Sequence, residues 1–166
     1  MSRRLALSIV VPLLNEQENV DALHAEIVSA MSAAEGGEAW EVIYVDDGST
    51  DGTYERLQAT QAADPDIVSV GRLRRNFGQT AALAAGFDQA RGRVIVTMDG
   101  DLQNDPADIP RLLEELGRGH DVVSGWRKIL RDAFLSRRLP SLAGNWLIGV
   151  VTGVGLRPDG RPPWRD

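Results

Sequence analysis

The sequence predicts an α/β protein in which a mainly parallel sheet is flanked by helices. Short apolar runs typical of buried strands alternate with segments whose apolar residues recur at helical spacing. This alternation implies crossover connections, which make neighbouring strands parallel and cover both faces of their sheet with helices. Polar turns follow the strand-like runs, and the carboxyl edge of such a sheet is where ligands bind.

The first half of the chain predicts two strands and two helices. Residues 5–11 form an apolar run that predicts a buried strand closed by Pro12. A helix is expected from Asn15, whose side chain can cap it. Residues 40–45 predict the second strand, which ends in the turn DDGSTDGT and leads into a short helix.

The second half continues the same alternation. Its predicted elements are a strand at 67–73, a helix at 81–90 after the loop RRNFGQT, a strand at 93–98, an amphipathic helix at 106–119 and a strand at 120–126. The amphipathic helix has proline near its start and glycine after its end, as helices commonly do. The expected sheet therefore has five strands.

Composition narrows the functional classes. At 166 residues the chain is long enough for one domain with a real core, and its net charge of -6 gives no reason to expect nucleic acid. The absence of cysteine excludes disulfides, thiolate metal sites and cysteine nucleophiles. Without a G-x-G-x-x-G motif after the first strand or a G-K-[ST] loop, the sequence also disfavours dehydrogenases and P-loop proteins.

Two carboxylates follow the fourth predicted strand, in the stretch RVIVTMDGDLQNDP. Asp99 and Asp101 lie on the same side of an extended chain, where they repel each other unless a cation lies between them. A pair of hard oxygen ligands suits Mg²⁺ or Mn²⁺, and the nearby Gln103 strengthens this interpretation. The structural alternative is that these aspartates cap the helix that begins near Pro106.

Other polar turns at the strand ends have adequate structural explanations. The turn DDGSTDGT contains the residues that make turns and cap helices, although a carboxylate there can also accept hydrogen bonds from a base or ribose. A helix cap accounts for Asn15 and Glu16, and a turn accounts for residues 76–79.

A basic segment precedes an apolar one near the end of the chain. Residues 124–140 carry five arginine and lysine residues against one aspartate. A solvated helix face is the ordinary explanation for such a segment. However, the apolar run at 141–151 follows directly, and a basic segment next to an apolar one is typical of chains that meet an anionic membrane surface.

Taken in order, the motifs resemble the family 2 glycosyltransferases of GT-A fold, a Rossmann-like fold. The matching segments are SIVVPLLNEQENV, VDDGSTDGT, RNFGQTAALAAGFDQARG, VTMDGDLQNDP, GWR and SRRLPSLAGNWL. The resemblance is closest to polyprenyl-phosphate sugar transferases, such as dolichol-phosphate mannosyltransferase and the bactoprenol glucosyltransferases. It implies one catalytic domain at 1–154, incomplete at its C-terminal end, and a divergent tail at 155–166.

The resemblance also implies roles for individual residues. The nucleotide-binding residues that it implies are Pro12, Leu14, Glu16, Val45, Asp47 and Gly100, with Val45 and Asp47 on the base or ribose. The implied ligands of Mg²⁺ or Mn²⁺ are Asp99, Asp101 and Gln103. The implied catalytic residues are Asp99 and Asp101, together with Arg127 and Arg138 near the phosphates of donor or acceptor.

The function implied by the resemblance is inverting transfer of a hexose to a polyprenyl phosphate, dolichyl or undecaprenyl, with a divalent metal. The implied donor is a nucleotide sugar of the UDP-glucose or GDP-mannose class, and the implied location is peripheral, on the cytoplasmic face of the membrane. Two alternatives remain open: a truncated remnant that binds nucleotide without turnover, and a family 2 transferase with a glycan acceptor.

Overall fold

The computed structural model describes residues 5–34 and 39–125, and the part up to Ser124 forms one compact unit. The strands are β1 (Leu7–Leu13), β2 (Trp40–Asp46), β3 (Val68–Arg72) and β4 (Val94–Thr97). The helices are α1 (Val20–Ala33), α2 (Thr53–Ala63), α3 (Gln79–Gln89) and α4 (Ile109–Gly117), with a 3₁₀ turn at Pro106–Asp108. All the described strand pairs are parallel, in the order β3-β2-β1-β4, so the predicted fold class is confirmed.

The two central strands are buried on both faces, in keeping with their nearly continuous apolar sequences. Helices α1 and α2 cover one face, where the larger part of the core lies. Helix α3 covers the other face and packs closely on β1, because a Cβ at Gly86 would lie only 2.3 Å from Val10 Cγ1. This close contact places the first turn of α3 at the carboxyl edge of the sheet.

Strand β1 continues through Pro12, whereas the sequence predicted that this proline would end it. Val10 O accepts a hydrogen bond from Met98 N, and Pro12 faces the same side of β1 because strand residues alternate. The ladder between β1 and β4 stops at the pair Val10 and Thr97, before Pro12 is reached. The missing N–H of Pro12 therefore costs no ladder hydrogen bond.

Helix α1 begins at Val20, so the predicted start at Asn15 is wrong. Asn15 has φ 56°, in the left-handed region that ends a strand rather than starts a helix. Its Oδ1 accepts a hydrogen bond from Thr50 N at 2.9 Å. The amide of Asn15 therefore caps the turn after β2 instead of α1.

The last part of the described chain differs from the prediction. Residues 120–125 contain no strand, so the predicted fifth strand is wrong over these residues. The helix predicted at 106–119 forms as the 3₁₀ turn followed by α4. Within the ranges that the structure describes, no helix combines the length and the apolar character needed to traverse a membrane. The predicted domain end at residue 154 and the tail at 155–166 lie outside those ranges.

At the amino edge of the sheet, the buried carboxylate of Glu41 is neutralised by Arg91. The guanidinium donates to Glu41 Oε2 from Nε at 2.9 Å and Nη2 at 2.5 Å, while Arg91 N and Ser8 Oγ donate to Oε1. Burial raises the pKa of Glu41, but the hydrogen bonds from Arg91 and Ser8 outweigh it and lower the pKa from its ordinary 4.5. Because Ser8 Oγ also accepts from Gly92 N, the network joins β1 and β2 to the start of β4.

Candidate functional site

An open cleft of about 450 Å³ lies at the carboxyl edge of the sheet, between the ends of β1, β2 and β4 and the start of α3. The structure brings together here most of the described residues that the resemblance assigned to nucleotide or metal. The assigned residues in its lining are Pro12, Leu14, Glu16, Asp47, Asp99, Gly100 and Asp101. The cleft therefore joins segments that lie up to 89 residues apart in the sequence.

The loops after β1 and β2 are held together by reciprocal hydrogen bonds. Asn15 N donates to Ser49 Oγ at 2.9 Å, and Glu16 N donates to Thr53 Oγ1 at 2.9 Å. In the opposite direction, Gly52 N donates to Gln17 Oε1 at 2.8 Å. The turn residues of both loops thus satisfy each other's backbone groups, which fixes the side of the cleft where Leu14 and Glu16 lie.

Asp47 is almost fully buried, at 3% exposed, and holds the loop that precedes α3. Its Oδ1 accepts from Phe77 N at 2.8 Å, and its Oδ2 accepts from Gly78 N at 2.9 Å. Gly48 beside it has φ +73°, and a Cβ there would lie 2.4 Å from the Arg75 carbonyl carbon. Asp47 therefore has a structural role at the cleft wall in addition to the predicted contact with base or ribose.

Asp46 is fully buried one residue earlier and is the partner of Arg72. Its Oδ1 accepts from Ser49 N at 3.0 Å, and its Oδ2 lies 3.1 Å from Arg72 Nε without hydrogen-bond geometry to any described group. The Arg72 guanidinium also lies 4.4 Å from the centre of the Tyr54 ring. The two adjacent aspartates thus anchor two different segments, β3 and the loop before α3.

Val45 is the described nucleotide-binding candidate that the structure does not bring to the cleft. Its side chain is fully buried in the cluster beneath α3, with Val10 and Ile43. Because side chains alternate along a strand, Val45 points to the α3 face of the sheet, and the residues next to it in β2 point to the opposite face. The predicted contact of Val45 with base or ribose is therefore not available to its side chain.

Asp99 lies just beyond β4, where two amides hold its carboxylate. Gln79 Nε2 donates to Asp99 Oδ1 at 2.8 Å, and Asn104 Nδ2 lies 3.4 Å from Asp99 Oδ2. From the sequence, Gln79 is expected to form part of a turn, and Asn104 is not among the candidate site residues. Their positions beside a helix start and after a D-x-D motif are the only sequence signals that could have found them.

Asp101 lies on the cleft within a tightly turned backbone. Gln103 N donates to Asp101 Oδ1 at 3.1 Å, and the intervening Leu102 has φ 58°. A left-handed conformation costs a residue other than glycine about 1–2 kcal/mol, and such strain is concentrated at functional sites. Gly100 is buried, and a Cβ there would lie 3.0 Å from Leu13 Cδ2. Gln103 contributes its backbone here, and its predicted role as a metal ligand stays a prediction.

The two carboxylates fit a divalent cation that is shared with a ligand rather than enclosed by the protein. The described residues contain no cluster of three or more acidic, histidine or cysteine side chains suited to a metal. They also contain no ion pair to Asp99 or Asp101. Mg²⁺ and Mn²⁺ commonly bind through one or two carboxylates and complete their shell with water and phosphate oxygens. The donor set matches that mode.

The predicted arginines and the basic and apolar segments lie outside the described residues, apart from Ser124 and Gly125 at the very start of the basic segment. Arg127 and Arg138 both belong to this part of the chain, as does the apolar run at 141–151. The roles assigned to them stay predictions.

The parallel sheet and its cleft define an α/β protein with an open cleft at the carboxyl edge of the sheet, where proteins of this class bind ligands. Residues 8–158 match Glycosyl transferase family 2, and the chain belongs to this family. The family resemblance of the sequence motifs is thereby confirmed.

Two curated relatives are similar over nearly all of this chain. Dodecaprenyl-phosphate galacturonate synthase from Rhizobium johnstonii is 47% identical over 157 residues, which make up 94% of this chain and 46% of that protein. Undecaprenyl-phosphate 4-deoxy-4-formamido-L-arabinose transferase from Pseudomonas paraeruginosa is 41% identical over 154 residues, 93% of this chain and 44% of that protein. The chain therefore spans about half the length of the curated relatives it matches.

Solved structures share the fold. A mannosyltransferase from Pyrobaculum calidifontis, in complex with GDP-Man and Mn²⁺, has a TM-score of 0.58 at 22% identity, covering 69% of this chain and 33% of that one. Glucosyl-3-phosphoglycerate synthase from Mycobacterium tuberculosis, with Mn²⁺, UDP and glucosyl-3-phosphoglycerate, has a TM-score of 0.60 at 22% identity, covering 90% and 51%. With the family match, these likenesses establish the GT-A fold.

Proposed function

We propose that this chain belongs to an inverting glycosyltransferase that moves a hexose from a nucleotide diphosphate sugar to a polyprenyl phosphate. The donor is a nucleotide diphosphate sugar of the UDP-glucose or GDP-mannose class. The reaction depends on Mg²⁺ or Mn²⁺, and the enzyme works at the cytoplasmic face of the membrane as a peripheral protein.

The observation that carries this proposal is the pair of carboxylates in the cleft. Asp99 and Asp101 lie beside Gly100 at the end of β4, with no cationic partner among the described residues. A nucleoside diphosphate bound in the cleft would bring further negative charge to them. A divalent cation bound between the two sets of anionic oxygens would neutralise both.

The other cleft residues suit the nucleoside of the donor. Leu14 is 38% exposed and offers an apolar surface beside Pro12, where a base can lie. The carboxylates of Glu16 and Asp47 border the same region and can accept hydrogen bonds from base or ribose. In this arrangement the nucleoside lies against β1 and β2, and the diphosphate points towards Asp99 and Asp101.

The transfer itself requires little acid–base chemistry from the protein. A phosphate monoester is largely ionised near neutral pH, because its second pKa is about 6. A polyprenyl phosphate oxygen can therefore form the bond to the anomeric carbon while the bond to the donor diphosphate breaks, which inverts the anomeric centre. A bound divalent cation would supply Lewis-acid stabilisation of the departing diphosphate. Positioning and cationic side chains do the rest, and we assign that role to Arg127 and Arg138.

The acceptor class rests on the relatives. Both curated relatives carry a polyprenyl phosphate in their names, dodecaprenyl in one and undecaprenyl in the other, and they name different sugars. The basic and apolar residues at 124–151 suit an acceptor that is anchored in a membrane of anionic lipids.

The test is titration calorimetry of UDP, GDP and their sugars into the protein, with and without Mn²⁺, followed by a transfer assay with undecaprenyl phosphate. We expect binding of one nucleotide that requires Mn²⁺, and transfer that a chelator abolishes. Asp101→Asn should remove both, whereas Asp88→Asn, an exposed aspartate on α3, should change neither.

The same test separates the alternatives. Metal-dependent nucleotide binding without transfer to any acceptor would favour the binding-only alternative. Transfer to an oligosaccharide but not to a lipid phosphate would favour a glycan acceptor. Transfer that neither a chelator nor Asp101→Asn affects would overturn the proposal.

A further inference from the structure

The first residue of α3 reaches across the cleft to the carboxylate at the end of β4. Gln79 lies on the cleft lining, and its Nε2 donates to Asp99 Oδ1 at 2.8 Å. The two residues are 20 positions apart and belong to different elements of the fold. This hydrogen bond is therefore a tertiary contact inside the site, and nothing in the local sequence of either residue requires it.

The backbone that carries Gln79 is fixed from three directions. Gly78 has φ +95°, which a residue with a side chain adopts only with strain, and this lets the chain turn into α3. Asp47 accepts hydrogen bonds from the amides of Phe77 and Gly78. The helix is in turn held against β1 at Gly86. The reach of the Gln79 amide towards Asp99 is therefore set by the fold.

We propose that Gln79 is a positioning residue that orients the Asp99 carboxylate for a divalent cation. This inference rests on the proposed metal-dependent function. A carboxylate oxygen has two lone pairs, so Asp99 Oδ1 can accept from Gln79 and still offer a lone pair to a cation. Without Gln79, the longer contact from Asn104 at 3.4 Å is left as the side-chain hydrogen bond from a described residue to Asp99. The carboxylate then gains rotational freedom that cation binding must remove.

The experiment measures Mn²⁺ affinity directly, by electron paramagnetic resonance of free Mn²⁺, in the presence of UDP and separately of GDP. Gln79→Met keeps roughly the volume of the side chain and removes the donor. Gln89→Met, at the other end of the same helix, is the matched control. We expect the Kd for Mn²⁺ to rise about 10-fold or more in Gln79→Met, as is typical when a hydrogen-bond partner of a metal ligand is lost. The control should bind as the wild type does.

A second variant guards against a general effect on folding. Gln79→Asn keeps the amide but is one methylene too short to reach Asp99, and it should weaken Mn²⁺ binding while the Tm stays that of the wild type. Unchanged Mn²⁺ affinity in both variants, beside normal binding by the wild type, overturns this inference alone. Tighter binding in Gln79→Met overturns it too, because Gln79 would then compete with the cation. If the wild type binds no Mn²⁺, both the proposed metal-dependent function and the proposed role of Gln79 are wrong.

Discussion

The carboxylates at the two edges of the sheet have opposite surroundings. At the amino edge, Glu41 is 1% exposed, and the guanidinium of Arg91 neutralises it through two hydrogen bonds. At the carboxyl edge, Asp99 and Asp101 line an open cleft, and the described residues supply them with amide donors but no ion pair.

The difference separates an acid that serves the fold from acids that are available to a ligand. An acid buried with its own cation depends on that cation, since removing the cation leaves a charge in a poorly solvated place. Acids that are oriented by neutral donors keep their charge available for a partner from outside. Five substitutions test this difference.

The largest effect is expected at the carboxyl edge, from Asp101→Asn. Removing one of the two proposed cation ligands should lower transfer by at least about 10³-fold, because a cation bound there would supply several kcal/mol of transition-state stabilisation. The Tm should change little, because the hydrogen bond that Asp101 accepts from the described residues comes from the nearby backbone amide of Gln103. Paired kinetic and thermal measurements check this, and a large fall in Tm would contradict the assignment of Asp101 to ligand binding.

The next effect is expected at the amino edge, from Arg91→Met. This change leaves Glu41 buried without its cation and should lower the free energy of unfolding by about 3 kcal/mol. Mn²⁺ and nucleotide binding by the folded protein should be unchanged. Chemical denaturation measures the effect, with Arg93→Met, an exposed arginine two residues away, as the control.

The same acid predicts a pH dependence of stability. Because the folded pKa of Glu41 lies below its ordinary 4.5, its contribution is fully present above that value and is lost as the pH falls through the folded pKa. Glu41→Gln should therefore be less stable than the wild type near neutral pH, with the difference shrinking in acid. Denaturation midpoints from pH 7 to pH 3 measure it, and a constant difference would show that the charge of Glu41 is irrelevant.

A smaller effect is expected from Gly48→Ala, in the turn after β2 at the carboxyl edge. The new Cβ would meet the backbone of Arg75 at 2.4 Å, and φ is +73°, so we expect a loss of about 2 kcal/mol. Gly117→Ala is the control, because no atom lies within 4 Å of its added Cβ and the residue is helical. That control should be neutral or stabilising, and equal effects at both glycines would contradict the close contact at Gly48.

The smallest effect is expected from Arg56→Ala, which removes an exposed ion pair. Arg56 and Asp21 lie 2.7 Å apart, with side chains 58% and 63% exposed. Solvent screening limits such a pair to about 0.5 kcal/mol. A loss as large as that from Arg91→Met would show that burial is not what distinguishes the two ion pairs.

Much of the fold could be predicted because buried parallel strands have nearly continuous apolar sequences. The errors arose where tertiary context decides. Pro12 stays in its strand because the neighbouring ladder has already ended, and Asn15 caps a turn that lies 35 residues away. Neither fact follows from local propensity.

The site divides in the same way. Asp99 and Asp101 could be predicted from the sequence, because two acids directly after a predicted strand form a local pattern. The contacts of Gln79 with Asp99 and of Asp47 with Phe77 span 20 and 30 residues, and only the folded chain shows them. The burial of Val45 depends on which face of β2 packs against α3. Because β2 is apolar on both faces, its sequence does not show which face that is.

The hydrogen bonds between the Asp47 carboxylate and the loop before α3 have a consequence for hydrogen exchange. Amides in an exposed loop ordinarily exchange with solvent quickly, yet those of Phe77 and Gly78 donate to a carboxylate that is 3% exposed. They should exchange as slowly as strand amides, although the Phe77 side chain itself is 50% exposed. Deuterium uptake at these two amides thus reports the state of the cleft wall, independently of any ligand.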